Sequence, residues 1–547
     1  MPVFLALALA ACSTNPLTAI NPFNTKEDES KRGTVGFVQG FFGGVATDEP
    51  RATLIGRETL SAGGTAADAA VAVAFALSVT LPSSASVGGG GLCVVHNVKS
   101  KQTETLDFQA AMPSKMSPSA THPVAVPGFI RGMGALHAKF GRLQWAQLVT
   151  PAEHLARFGN QVSRAFANDL RRTGPATLAD PGIRKIFAAG AGGAVIKEGD
   201  FLKQLDLSSV LGRIRARGAG DFYAGLAGRQ FIAAVASAGG SLSPNDLRGY
   251  SPQWRPTIKV PYIQNANLHF PTPPGPAGVL AAQMMAMLVE DGKWENASPD
   301  ARAHLMAEVT GRAFADRDRW LRVDGTAAVN PDTLIAREYI SRLFAAYRPD
   351  RHAGWTAGAL ASGEDPDNPT GTSFVTADRE GSAVACTLTL NNLFGAGRVA
   401  NGMGVILAAM PAPRGRGPDS LAPMLLVSDL HNVFYMAAAA SGGTAAPSAL
   451  VNVVARTLMG KKEETLEMAT AAKRIHNDGV HDLTVYEQGL DAAVAQSLAS
   501  KGHRAGQATR IGLVNAIFCP TGVPAKDEAS CSSRSDPRGF GLAVGSD

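Results

Sequence analysis

The chain has no Cys-x-x-Cys pair and no histidine spacing suited to zinc, so its five cysteines do not point to a metal site. It has no basic stripe and no nucleic-acid-binding module, which excludes nucleic acid as a partner. The net charge of +5 is small for 547 residues. Arg312, Arg317, Arg319 and Arg322 are interleaved with Asp and Trp, and are expected on a solvated helix face. No dinucleotide fingerprint stands in a supporting context, so no cofactor is implied. The apolar stretch Thr65–Thr80 is too short, and too interrupted by Asp68, to cross a membrane. Gly88–Gly91 has no Lys-Ser/Thr after it, which excludes a phosphate-binding loop. No internal repeat is present.

What remains is the composition of a folded protein, 45% apolar and 18% charged, long enough for a large core or for more than one domain. Thr65–Thr80 is apolar nearly all round and is expected as a buried helix. The glycine run after it suits a loop that approaches other backbone closely, followed by a strand from Leu92 to His96. Trp145–Arg171 is largely helical in pattern, with Leu148, Leu155, Ala156 and Phe158 on one apolar face. Ser243-Pro244-Asn245-Asp246 is a helix start, with a capping Ser and Pro at the first helical position. Thr272–Pro276 breaks the chain before a helix over Val279–Glu290. Ala357–Thr370 is polar and rich in Gly and Pro, an exposed loop. Beyond it Ser373–Asp378 and Ala383–Leu390 are expected as two strands joined by a turn at Arg379–Gly381.

The N-terminus carries an address. Val3–Ala11 is an apolar run of signal-peptide length ending in Leu9-Ala10-Ala11-Cys12, which looks like a bacterial lipobox, although no Lys or Arg precedes it. Residues 1–12 are therefore expected to be a lipoprotein signal with Cys12 lipidated, and 13–34 a flexible tether. The expected location is the bacterial periplasm, with a lipid anchor as the sole membrane contact. Cys93 and Cys386 sit in apolar stretches and are expected as core residues, whereas Cys519 and Cys531 flank a polar loop and are plausible disulfide partners in an oxidising compartment.

An exposed loop ending in Thr, then a strand hairpin, suits a chain that cleaves itself before a nucleophilic residue. The freed α-amine then serves as base for that residue's side chain. No histidine occurs between Gly371 and Gly404, and this chemistry needs none. The segment Gly371–Leu407 (GTSFVTADREGSAVACTLTLNNLFGAGRVANGMGVIL) strongly resembles the γ-glutamyltransferase segment that begins at the processed threonine. Collinear blocks at Gly63–Pro82, Gly88–Gly91, Pro127–Gly159, Gly239–Tyr250 and Ser535–Gly541 extend the resemblance over most of the chain. It implies an α+β fold, the four-layer αββα sandwich of N-terminal-nucleophile hydrolases. It also implies a large segment, 35–371, and a small one, 372–547, paired as a heterodimer once processed.

Mapped onto that family, Thr372 is the candidate nucleophile and Thr389 the threonine that hydrogen-bonds it. Gly442 and Gly443 match the paired glycines whose N–H groups form the oxyanion hole. Counted without gaps from Gly381, however, the nucleophile position falls on Gly371, and Thr372 would face the other way; Thr370 is a second candidate. Gln109 stands where the family has a carboxylate-binding Arg, and lacks its charge and fork. Ala422-Pro423 replaces paired serines, and Ala408–Pro411 contains no acid, leaving Asn391 as the remaining amino-group contact. The expected function is a self-processing amide hydrolase or transpeptidase acting on a small-molecule amide or γ-glutamyl substrate, glutathione not necessarily among them. The alternatives are an unprocessed, non-catalytic lipoprotein that binds a ligand or partner, and another acylase of the same nucleophile type.

Overall fold

The computed structural model describes residues 43–545, apart from 119, 190–192, 264, 356–369, 412–419, 462 and 525–529. Cys12, the tether and the loop before Thr370 lie outside the described residues.

Among the described residues, twelve strands form one antiparallel sheet: β1 (Gly43–Thr47), β2 (Gly90–Asn97), β3 (Gln102–Asp107), β4 (Gln253–Pro261), β5 (Ala266–Pro271), β6 (Thr372–Asp378), β7 (Ala383–Thr389), β8 (Ala422–Ser428), β9 (Val433–Ser441), β10 (Leu513–Val523), β11 (Ser532–Arg534) and β12 (Leu542–Val544). Their order is β11-β10-β9-β8-β5-β4-β3-β2-β7-β6-β1-β12. The sheet doubles back so that its halves face each other. Val94, Val375, Ala377 and Ala385 of one half share a buried core with Leu425, Val427, Ala437, Ala439 and Ile517 of the other. Apart from Leu425, these small or β-branched side chains let the two layers approach closely.

Helices cover both outer faces. Over the first half lie α1 (Pro50–Ser61), α2 (Ala66–Thr80), α3 (Phe129–Phe140) and α4 (Trp145–Phe158). Over the second lie α5 (Ala277–Val289), α6 (Pro299–Trp320) and α7 (Ala446–Met459). The result is the αββα arrangement. Every residue of α2 is buried, and Thr65 and Asp68 cap it reciprocally, as its composition implies. Ser243 and Asp246 form the same box at Pro244–Gly249. Among the described residues no helix is long and apolar enough to cross a membrane.

The glycine run behaves as expected. A Cβ on Gly88 would lie 2.3 Å from Ile406 O, on Gly90 2.3 Å from Ala110 N, and on Gly91 2.4 Å from Thr387 O, so only glycine fits where these backbones meet.

Two expectations fail, and a third is incomplete. Cys93 and Cys386 are core residues, each 0% exposed, but they also lie directly opposite on β2 and β7 and form a disulfide, as do Cys519 and Cys531. Periodicity cannot reveal that two distant strands become neighbours. Arg312 and Arg317 are buried on α6, with Arg312 on Glu308 at 2.7 Å, whereas the Arg319 side chain is exposed. The helix is sandwiched between α5 and the C-terminal elements, so paired charges are carried into its core-facing side. Phe158 is 61% exposed at the end of α4, because it lies off the buried stripe of Leu148, Val149, Ala152 and Ala156.

Strands β6 and β7, after Gly371, insert between β2 and β1, which precede it, so the chain on either side of Gly371 shares one sheet.

Candidate active site

The β6–β7 hairpin sets the site. Thr372 pairs with Leu388, and Ser373 with Thr387, so Gly371 falls opposite Thr389. A Cβ on Gly371 would lie 3.5 Å from the Cβ of Thr389 and 2.6 Å from Leu388 O. Alternation along β6 then puts Gly371, Ser373 and Val375 on the face between the sheets, and Thr372 on the helix-facing side with Phe374. The structure brings Thr389 to Gly371, not to the Thr372 side chain. The Thr389 hydroxyl donates to the carbonyl of Thr370 at 2.5 Å and accepts from the Asn391 N–H at 2.8 Å. The Thr370 hydroxyl is buried without a hydrogen-bond partner.

Thr372 is 1% exposed, and its hydroxyl donates to Asp48 Oδ2 at 2.9 Å. Asp48, just after β1, is a hub that motif reading misses. Its Oδ2 also accepts from the Ser373 N–H at 2.8 Å and the Ser441 hydroxyl at 3.3 Å, and its Oδ1 from Asn515 Nδ2 at 2.7 Å. Burial pushes its carboxyl above the ordinary range, opposed by the hydrogen bonds from Ser373, Asn515 and Thr372. Asn515 lies 467 residues from Asp48 in sequence, and neither belongs to a local pattern that could have flagged it.

Gly442 and Gly443 follow directly on Ser441, which places the predicted oxyanion pair beside this hub. Both have positive φ, 115° and 75°. A Cβ on Gly442 would lie 2.6 Å from the Cα of Gly512, so that turn requires glycine on both counts. The Gly512 carbonyl accepts from Arg474 at 2.9 Å, and the Arg474 guanidinium is paired with buried Asp536. The block at 535–541 thus locks the turn against which Gly442 packs.

Gln109 lies apart from the hub. Its amide nitrogen donates to Pro274 O at 3.1 Å and Asp107 Oδ1 at 3.3 Å. It borders a cleft of ≈ 760 Å³ whose lining includes Met112, Tyr250, Pro274, Leu321 and Val323. Asn391, with φ 67°, donates its side-chain amide to Ala409 O at 2.8 Å. A second, small crevice of ≈ 40 Å³ is lined by Asp48, Ser84, Asn168, Asp169, Gly371 and Arg510. Burial raises the Asp169 carboxyl to about 6, although Ser83 donates to it at 2.5 Å.

A doubled antiparallel sheet between helical layers, with a threonine opening a central strand, defines the N-terminal-nucleophile type of hydrolase fold. Cephalosporin acylase from Bacillus halodurans has the same fold: its structure covers 93% of this chain and 96% of its own at a TM-score of 0.77, with 21% identity. In sequence, the γ-glutamyltranspeptidase family model matches residues 52–546. The acylase ACY 1 proenzyme of Pseudomonas sp. strain SE83 is 31% identical over 531 residues, covering 88% of this chain and 91% of that protein. The glutathione hydrolase proenzyme of Bacillus subtilis is 28% identical, covering 85% of each. The chain belongs to the γ-glutamyltranspeptidase family, whose members are processed into large and small subunits and act on small molecules.

Proposed function

We propose that this chain is a self-processing amide hydrolase or acyltransferase whose nucleophile is Thr372, exposed by cleavage of the Gly371–Thr372 bond. The observation that carries this reading is the Thr372 hydroxyl, fully buried at the start of β6 and held on a carboxylate at 2.9 Å. Once freed, the α-amine takes the proton from Oγ1 as the hydroxyl attacks an amide carbonyl. The α-ammonium passes that proton to the departing amine, and water or an acceptor amine then resolves the ester. Gly442 and Gly443 are the candidate donors to the oxyanion. The test is intact mass and N-terminal sequencing of the purified chain, with reducing gels. Two fragments, the smaller beginning at Thr372, support the assignment, and Thr372→Ala should abolish them while Thr372→Ser keeps them.

The substrate in this reading is an amide without an α-amino-acid head group. Gln109 is uncharged, with its amide tied to Pro274 and Asp107, and Ala408 and Ala409 are buried apolar residues where an amine would need an acid. Comparing γ-glutamyl and neutral acyl p-nitroanilides tests this; a clear preference for the γ-glutamyl donor overturns it. The location in this reading is the periplasm, anchored through Cys12, supported by the lipobox-like run and by two disulfides. Loss of lipid labelling in Cys12→Ser is the check.

One observation favours a second reading. Gly371, not a threonine, faces Thr389, which suits an uncleaved relative that binds a ligand. A single chain of 56.7 kDa on reducing gels after long incubation would establish that reading in place of the first.

A further inference from the structure

Self-cleavage has a difficulty that mature catalysis lacks. Before the Gly371–Thr372 bond breaks, the nitrogen of Thr372 is an amide and cannot take a proton. A base must come from elsewhere in the fold. We infer that Asp48 is that base, an assignment that rests on Thr372 being the nucleophile.

Asp48 Oδ2 already receives the Thr372 hydroxyl at 2.9 Å, within the reach a general base needs. Asn515 holds the other carboxylate oxygen at 2.7 Å and the Ser373 N–H holds Oδ2 itself at 2.8 Å, which keeps the carboxylate oriented toward Thr372. Its hydrogen bonds come from the neutral groups Thr372, Ser373, Ser441 and Asn515. Burial raises its proton affinity, which makes it a stronger base than a surface aspartate.

The atoms balance without a further reactant except water. Thr372 Oγ1 forms a bond to the carbonyl carbon of Gly371 as its proton passes to Asp48. The bond from that carbon to the Thr372 nitrogen then breaks, and the nitrogen takes the proton from Asp48, leaving an ester. Water adds to the ester carbonyl, Oγ1 leaves and regains a proton, and the products are a Gly371 carboxylate and a Thr372 α-amine. The crevice lined by both Asp48 and Gly371 has ≈ 40 Å³, enough for a water molecule.

The groups around Asp48 that could add to its titration are Asp169 and Arg510 across the crevice, Asp536 from the C-terminal block, and Glu49 next in sequence.

The experiment follows cleavage of full-length chain made by cell-free synthesis, sampled from about pH 5 to 9 on reducing gels. In the wild type the rate should fall about tenfold per pH unit below the Asp48 pKa, and Asp169→Asn should leave that limb in place. Asp48→Asn keeps an acceptor for the Ser373 N–H but not a base, so cleavage should slow by about 100-fold or more. Thr372→Cys supplies a nucleophile that ionises without help, so the Asp48→Asn/Thr372→Cys pair should recover cleavage relative to Asp48→Asn alone. Circular dichroism and melting confirm folding in each case. If folded Asp48→Asn cleaves like the wild type, Asp48 is only a structural tie. If Asp48→Asn does not fold, a pH-independent wild-type rate overturns the assignment and an acid limb that survives Asp169→Asn upholds it. Wild-type chain that never cleaves before Thr372 removes the nucleophile assignment itself, and this role with it.

Discussion

Gly371 faces Thr389 across the β6–β7 hairpin, so that a Cβ placed on the glycine would sit 3.5 Å from the threonine Cβ. The Thr389 hydroxyl reaches past this gap to the carbonyl of Thr370, the carbonyl of the peptide bond one residue ahead of the proposed cut. Two faces of one strand therefore compete for the chemistry: one has the hydroxyl partner and no nucleophile, the other has Thr372 and Asp48.

Gly371→Thr tests the empty face. A hydroxyl there would stand beside Thr389 with the Thr370 carbonyl already hydrogen-bonded, so cleavage should also appear one residue upstream, before position 371. The Cβ would press on Leu388 O at 2.6 Å, and overpacking of this kind costs about 1–3 kcal/mol. N-terminal sequencing reads the first effect and thermal melting the second. Cleavage confined to Thr372 would show that the face beside Thr389 is inert.

The disulfide between Cys93 and Cys386 spans the proposed cut, since the first lies in 35–371 and the second in 372–547. Processed protein should therefore run as one species without reductant and as two with it. Cys93→Ser should give two species in denaturing gels without reductant. Removing a native crosslink of this kind costs about 2–5 kcal/mol, readable as a lower midpoint in urea.

Asp536→Ala should destabilise the fold by about 3–5 kcal/mol, because it strands the Arg474 guanidinium, itself 1% exposed. The same change frees the turn at Ile511 and Gly512, whose carbonyls Arg474 holds, and Gly442 packs on that turn. Cleavage or turnover should fall more than stability alone explains. Urea denaturation alongside activity, in protein still fully folded, separates the two.

Asp169 should make stability depend on pH. Its carboxyl titrates at about 6 in the fold against 3.8 for the free side chain, because burial disfavours the charge. A raised carboxyl contributes fully below the unfolded value, and that contribution is lost as pH rises through about 6. The shift amounts to roughly 3 kcal/mol. Wild type should therefore melt above Asp169→Asn near pH 4, and the gap should narrow or reverse above about pH 7. A gap constant with pH would rule out this titration.

Much of the scaffold was legible locally. Thr65 and Asp68 announce the start of α2, alanine on every side of that helix requires burial, and the glycines at 88–91 require close backbone contact. The hairpin strands follow from their alternation and the turn at Gly381. The ungapped count from that turn also put Gly371 at the nucleophile register, because side-chain direction along a strand depends only on parity.

The tertiary structure decided what no window of sequence contains. Asp48, Ser373, Ser441 and Asn515 meet because β1, β6, β9 and β10 converge at one end of the doubled sheet, across 467 residues between Asp48 and Asn515. Cys93 and Cys386 become partners for the same reason, two strands brought side by side. Local sequence determined helix caps, strand parity and where only glycine fits, since those depend on a residue and its near neighbours. Which carboxylate receives the Thr372 hydroxyl depends on strand order, and strand order is settled by burial of the whole chain.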